Sequence, residues 1–131
     1  MMNPLKIKST KFSPEICFDP QNNILEFYGF CLPENALEFF QPIIDWLNDY
    51  KEKIYKSIHF PEVKVIFKFT YYNSASLRRI IEIFSIFSEM YHRGVPIIIS
   101  WQYDSEDLSM AESGKEISEI SNIPINLVSY N

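Results

Sequence analysis

The chain has 131 residues, the size of one domain, and 47% of them are hydrophobic, which is enough for a single packed core. Its 17 acidic and 12 basic residues give a formal net charge of −5, which argues against a nucleic-acid or anionic-membrane partner because both reward clustered Lys and Arg. It contains no apolar run long enough to span a bilayer, and its first segment, "MMNPLKIKST", lacks the apolar stretch expected of a signal peptide. We therefore expect one cytoplasmic domain, residues 1–131, that binds a protein or a small molecule.

The first predicted elements are short strands. Two β-rich runs, Glu15–Phe18 and Ile24–Gly29, flank a Pro-Gln-Asn-Asn turn, a pattern typical of an antiparallel hairpin. A weaker signal at Leu5–Lys8 predicts an additional strand at the edge of the sheet.

The two cysteines and two histidines are isolated in the sequence. Cys17 and Cys31 form no CxxC motif and have no His at ligand spacing, so they indicate neither a metal site nor a redox pair. The hairpin would pair Cys17 nearer Glu26 than Cys31, and we expect two buried, reduced thiols with Cα atoms more than about 7 Å apart. No nucleophile motif surrounds His59 or His92, which makes a catalytic triad improbable.

An amphipathic helix is predicted after the hairpin. Apolar residues separated by one, three and four positions line one of its faces: Ala36, Leu37, Phe40, Ile43, Ile44, Leu47 and Tyr50. Pro42 lies inside this pattern, and an interior proline removes a backbone hydrogen bond. It therefore predicts a kink, or a helix that restarts near Gln41.

A strand and a second helix follow. From Val63 the chain alternates with a period of two, and one face carries Val63, Val65, Phe67, Phe69 and Tyr71. The next segment, Leu77–Arg93, confines its polar residues to a narrow stripe, which predicts a well-buried helix with Gly94 as its C-terminal cap. We expect that helix to begin near Ser76, to expose Arg78 and Glu82, and to pack through Leu77, Ile80, Ile81, Phe84 and Phe87.

The last third of the chain predicts a strand, a helix and a strand. The segment "VPIIISWQY" is apolar on both faces, as a central strand covered by helices would be. An acidic helix, "SEDLSMAESGKEISEIS", and a final strand, "PINLVSY", complete the order. Alternating strands and helices predict right-handed crossovers and parallel pairing, so the fold class is α/β: a mixed sheet with an N-terminal antiparallel hairpin and about three helices packed against it.

Three small polar residues, Asn73, Ser74 and Ser76, stand between the strand and the second helix. One of them suffices to cap the helix, whose first N–H groups lack internal partners. A second hydroxyl is either a spare cap or a modification site, and a phosphate there would add about two negative charges beside the free amides. Arg78 and Arg79 oppose the helix dipole, a cost that a phosphate would reverse, although on the residues alone capping is the simpler interpretation.

Three segments resemble the SiaC-type bacterial regulatory phosphoproteins. "GFCLPENALEFFQPIIDWLNDY" is similar to the opening helix of that family, "FKFTYYNSAS" to its strand-to-helix junction, and "ISWQYDSEDLSMAESGKEISEI" to its acidic segment. The three occur in the family's order and cover about Ile24–Ile120. The resemblance implies a fold like that of the anti-sigma-factor antagonist (STAS) domains.

The same resemblance implies a protein switch with no cofactor. A partner kinase would phosphorylate the junction, a phosphatase would remove the phosphate, and the unmodified form would bind an output partner such as a diguanylate cyclase. The family's phosphorylated Thr falls on Ser74, with Ser76 as the alternative. Ala75 lacks a hydroxyl that the family has, and Arg78 stands where Lys is usual. The partner-binding candidates are Asn73, Arg78, Asp104 and Asp107.

Two other function classes compete with the switch. In an unswitched adaptor, Ser74 would be only a helix cap and exposed aromatic side chains would bind the partner. A small-molecule enzyme is the least favoured class, because no nucleophile–base pair or metal-ligand set is visible. The acidic segment that contains Asp104 and Asp107 lacks the spacing of a calcium loop, so a solvated helix face is expected there rather than a metal site.

Overall fold

The computed structural model describes residues 2–131, which form six strands and three helices. No helix in this range is long and apolar enough to cross a membrane. In chain order the elements are β1 (Leu5–Ile7), β2 (Glu15–Asp19), β3 (Ile24–Cys31), α1 (Ala36–Tyr55), β4 (Val63–Tyr72), α2 (Ser74–His92), β5 (Ile97–Asp104), α3 (Leu108–Ser121) and β6 (Asn126–Tyr130).

The six strands form one mixed sheet in the order of the chain. The pairs β1–β2 and β2–β3 are antiparallel, and β3–β4, β4–β5 and β5–β6 are parallel. Cys17 pairs with Glu26, as the hairpin predicted. The α/β fold class and the three helices are therefore confirmed.

The helices cover only one face of the sheet. Each parallel connection runs to the next strand in the same direction, so right-handed crossovers place α1, α2 and α3 on the same side. In β5, Ile97, Ile99 and Trp101 are buried while Ile98 is 41% exposed. The expectation that "VPIIISWQY" is covered on both faces was wrong, because its apolar outer residues face the uncovered side.

An aromatic cluster forms the centre of the core between the sheet and α2. The ring of Phe67 lies 4.5 Å from that of Phe27, 4.8 Å from that of Phe84 and 5.7 Å from that of Trp101, measured between centroids. All four side chains are at most 1% exposed. The inward alternation of β3, β4 and β5 thus supplies the sheet side of the core, and the period of two predicted it for β4.

The helix α1 runs without a break through Pro42, so the predicted restart near Gln41 was wrong. The carboxamide of Asn35 caps it by accepting a hydrogen bond from the Glu38 N–H at 3.0 Å. Six of the seven apolar residues predicted on one face are buried, but Leu37 is 57% exposed. Leu37 is the second residue of α1, and none of the other elements described between residues 2 and 131 covers its side chain.

The helix α2 begins at Ser74, two residues before the predicted start. Gly94 follows it with a φ of +106°, the left-handed conformation expected of a C-terminal glycine. The buried face differs slightly from the prediction: Leu77 and Ile81 are only partly buried, whereas Ile83 and Ile86 are buried. Because α2 packs against α1, α3 and the sheet, its buried arc is wider than one helical stripe.

The two cysteines are both free, as predicted, but only Cys31 is buried. Cys17 is half-buried, because it points to the uncovered side of the sheet. Burial raises the pKa of the Cys31 thiol to about 11, so its reactive thiolate is scarce at neutral pH.

We expect one thiol per chain, that of Cys17, to react with a water-soluble thiol reagent in the native protein, and two after denaturation. Cys17→Ser should abolish the native reaction, and Cys31→Ser should leave it unchanged. Two fast-reacting thiols in the native protein would contradict the burial of Cys31.

Candidate functional site

Three helices begin at one edge of the sheet, where the parallel strands β3, β4 and β5 end. Each helix has a side-chain cap: Asn35 for α1, Asn73 for α2 and Asp107 for α3. The Asn73 carboxamide accepts a hydrogen bond from the Ser76 N–H at 2.9 Å. This edge therefore collects the positive ends of three helix dipoles, and the first turn of α2 is one of them.

A β-bulge precedes α2 and sets the direction of the junction. In the β3–β4 register Gly29 pairs with Phe69 and Phe30 with Tyr71, so Thr70 has no partner. The bulge reverses the alternation of β4. Tyr71, predicted to face inward, is 50% exposed, and Tyr72 packs against Trp101 instead.

Ser74 is the first residue of α2, and its side chain is exposed. The sequence placed Ser74 at the junction between the strand and the helix and left open which of Asn73, Ser74 and Ser76 caps the helix. Asn73 caps the helix, so the hydroxyl of Ser74 is not needed as the cap. The Asn73 N–H donates to the Cys31 carbonyl at 3.1 Å and ties the junction to the end of β3.

Ser76 points in the opposite direction. Its side chain is fully buried, and its Oγ has no conventional hydrogen-bond partner within residues 2–131. The neighbouring group is the Cys31 thiol, whose pKa the Ser76 hydroxyl lowers while burial raises it more strongly. A kinase would reach Ser76 only after the start of α2 opened, so exposure favours Ser74 among the two candidates.

A broad open groove of about 1400 Å³ contains Ser74. Three segments line it: the loop between β1 and β2, the start of α1, and the first turns of α2. Two of its apolar side chains are strongly exposed, Phe12 at 54% and Leu37 at 57%. Exposed apolar side chains around a polar centre are typical of a protein-binding surface.

The loop side of the groove is held in place by hydrogen bonds. Thr10 Oγ1 accepts from the N–H groups of Phe12 at 3.2 Å and Ser13 at 3.0 Å. The Leu32 N–H donates to the Phe12 carbonyl at 2.8 Å, which ties the loop to the segment that leads into α1. Phe12 is thus presented by an ordered turn.

The charges in the groove are divided between its two helices. Arg78 and Arg79 lie on the α2 side, and Glu34 and Glu38 lie on the α1 side. Arg79 forms an ion pair with Glu82, with 3.0 Å between Nη1 and Oε1. Arg78 is exposed and forms no ion pair within the described part of the chain.

A model of the SiaC family of regulatory phosphoproteins matches residues 7–130. The chain belongs to the SiaC family. The match covers the three segments that carried the resemblance, and the family assignment is confirmed.

Solved SiaC structures share the fold of this family member over nearly its whole length. The crystal structure of apo-SiaC from Pseudomonas aeruginosa matches with a TM-score of 0.86 and 26% identity, and covers 98% of this chain and 100% of that one. A crystal structure of the diguanylate cyclase SiaD in complex with its activator SiaC, from the same organism, matches with a TM-score of 0.85 and 25% identity over 96% of this chain and 99% of that one. An uncharacterised protein of P. aeruginosa strain UCBPP-PA14 is 26% identical over 98% of each chain.

Of the predicted site residues in this SiaC family member, the structure brings Ser74 and Arg78 together in the groove. Asp104 and Asp107 lie in a separate depression of about 330 Å³ beside Thr70 and Tyr130. Both carboxylates accept hydrogen bonds from backbone N–H groups in the segment that connects β5 to α3. Asp104 accepts from the Glu106 N–H at 2.9 Å, and Asp107 caps α3 by accepting from the Met110 N–H at 3.1 Å.

Sequence reasoning missed the α1 and loop sides of the groove. Phe12 stands in the polar stretch "STKFSPE", where a lone large aromatic was a usable signal. Glu34 and Leu37 gave no signal of a binding surface. An acidic residue at the start of a helix is common, and Leu37 fits the apolar stripe of α1. No group of three or more His, Cys, Asp or Glu side chains within residues 2–131 is arranged to hold a metal ion.

Proposed function

We propose that this SiaC family member is a phosphorylation-switched binding protein, in which the 131 residues act as one domain. A partner kinase modifies Ser74, a phosphatase restores it, and the unmodified form binds a diguanylate cyclase. The observation that carries the proposal is that Ser74 is exposed at the groove and is not needed as the helix cap, because Asn73 caps α2. We propose a cytoplasmic location, where ATP is available to a kinase and free thiols stay reduced.

The cyclase partner is supported by likeness to SiaC from P. aeruginosa, which is the activator of the diguanylate cyclase SiaD. This chain aligns with that activator over 96% of its own length at 25% identity. Phe12 and Leu37 would be the apolar anchors of the docked partner, with Arg78 and Glu38 beside them. A regulatory role of this kind needs no catalytic group in the groove.

The effect of phosphorylation follows from desolvation. A phosphate carries about two negative charges, and a partner that covers the start of α2 without supplying a cation of its own would have to desolvate that charge. A penalty of about 3 kcal/mol corresponds to an affinity loss of about a hundredfold.

We expect Ser74→Ala to keep the affinity for the cognate cyclase and to abolish phosphorylation by the cognate kinase. Ser74→Asp should weaken cyclase binding, by about tenfold or more, because one charge is half of that on a phosphate. The measurement is a calorimetric titration against the cyclase, with circular dichroism as the folding control. Ser85→Asp is the matched control, because it adds the same charge to an exposed position of α2 away from the groove.

Two results would overturn the proposal. If Ser74→Ala still takes up phosphate, Ser74 is not the modified residue. If both Ser74 variants bind the cyclase like the wild type, the domain is an unswitched adaptor.

A further inference from the structure

The two helices at the groove differ in how their positive ends are compensated. In α1 the first turn carries Glu38, and Glu34 lies just before the cap, so negative charge is near its free N–H groups. The first turn of α2 carries no acidic residue, and the next turn carries Arg78 and Arg79. The start of α2 is therefore the more electropositive of the two neighbouring helix ends.

The position of Arg78 relative to Ser74 is that of a helical neighbour. Both residues are in α2, four positions apart, and side chains at this spacing lie on the same face about one turn from each other. Both are exposed and line the groove. The guanidinium of Arg78 is thus within reach of a group attached to Ser74 Oγ without any change of the backbone.

Arg79 is a different case, although it is adjacent in sequence. It is five positions from Ser74, and its guanidinium is engaged by Glu82 at 3.0 Å. Its side chain is 26% exposed, which restricts its movement. Of the two arginines, only Arg78 is unpaired within residues 2–131 and correctly spaced.

We propose that a phosphate on Ser74 is held by Arg78, so that phosphorylation adds negative charge to the groove and also occupies Arg78, which forms no ion pair within residues 2–131. This inference rests on the proposed modification of Ser74. Guanidinium and phosphate form charge-assisted, often bidentate hydrogen bonds, which are stronger than contacts between neutral groups. In the modification Ser74 Oγ bonds to the γ-phosphorus of ATP, the bond from that phosphorus to the β,γ-bridging oxygen breaks to release ADP, and the serine proton passes to the solvent.

The consequence for a partner is a change in the net charge of the groove, from about neutral to negative. In the unmodified protein Arg78 and Arg79 face Glu34 and Glu38, which gives two positive and two negative charges. The phosphate adds about two negative charges, and its contact with Arg78 leaves that arginine unavailable to a partner. An acidic side chain that binds Arg78 in the unmodified complex would then meet a negative surface.

The test uses full-length protein with phosphoserine incorporated at position 74 during translation, so that no kinase is required. The second pKa of the phosphate, about 6 in a free phosphoserine, is measured by ³¹P NMR as a function of pH. The titratable and charged groups lining the groove are Glu34 and Glu38 on the α1 side and Arg78 and Arg79 on α2. The same titration is carried out in Arg78→Gln and, as a matched control, in Arg79→Gln.

We expect Arg78→Gln to raise the phosphate pKa by about half a unit relative to the wild type, because Arg78 stabilises the dianion. Arg79→Gln should change the phosphate pKa by much less. Arg78→Lys should raise it by less than Arg78→Gln does, because lysine keeps the positive charge. Equal pKa values in the wild type and in Arg78→Gln would overturn the inference, as would an equal rise in Arg79→Gln.

The outcome is distinguishable from that of the proposed function. Cyclase binding by the same phosphorylated proteins is measured separately. If the phosphate pKa depends on Arg78 but the cyclase affinity is unchanged by phosphorylation, the contact between phosphate and Arg78 stands and the switch is rejected. If phosphorylation weakens cyclase binding but the phosphate pKa does not depend on Arg78, the switch stands and the contact is rejected.

Discussion

We expect Phe67→Ala to lower the free energy of unfolding by about 3–5 kcal/mol, a large share of the stability of a domain of this size. Phe67 is 1% exposed and lies at the centre of the aromatic cluster. Its ring is stacked on those of Phe27 at 4.5 Å and Phe84 at 4.8 Å between centroids. Truncation would leave a cavity between the sheet and α2, because the surrounding rings belong to different elements and cannot all move inward.

The measurement is urea unfolding followed by circular dichroism. The matched control is Phe12→Ala, which removes an aromatic ring that is 54% exposed at the groove. Phe12→Ala should change the free energy of unfolding by less than about 1 kcal/mol. If Phe67→Ala prevents folding, Phe67→Leu retains most of the volume and should give a measurable, smaller loss. Equal losses for Phe67→Ala and Phe12→Ala would contradict the core described here.

The second large effect is expected at Gly114, where α3 meets Trp101. A Cβ atom on Gly114 would lie 2.6 Å from Trp101 Cδ1 and 2.7 Å from Trp101 Nε1. The indole cannot retreat easily, because its N–H donates to the Met110 carbonyl at 2.9 Å and its ring packs against the aromatic cluster. The glycine thus permits α3 to lie directly on the indole.

We expect Gly114→Ala to lower the free energy of unfolding by about 2–3 kcal/mol, as overpacking of a full core does. In an open helix the same change would stabilise by about 0.5–1 kcal/mol, because Ala is the better helix former. A loss of stability would therefore show that the close contact between α3 and Trp101 outweighs the gain in helix propensity. Lys115→Ala, at an exposed position of α3, is the matched control and should have little effect. A gain in stability from Gly114→Ala would show that α3 and Trp101 separate at little cost.

Local periodicity was sufficient to predict most elements. The alternation in β4 and the apolar stripes of α1 and α2 depend on which neighbours along the chain are apolar, and that information is complete in the sequence. The sequence placed the cap of α2 among the small polar residues of the junction, and the structure assigns it to Asn73. The family motifs added the choice of Ser74 as the modification site, which remains a prediction.

Only the tertiary structure decided the faces and the surroundings of these elements. The bulge at Thr70 depends on the register between β3 and β4, and it turned Tyr71 outward although the alternation in sequence continues. The uncovered face of the sheet follows from strand order, which no single segment encodes. The groove combines the Phe12 loop with the starts of α1 and α2, segments that are far apart in sequence. Parallel pairing places the ends of β3 and β4 side by side, and antiparallel pairing places the start of β2, which follows the Phe12 loop, beside the end of β3. Periodicity records a residue's neighbours along the chain, whereas exposure and contact depend on packing between elements.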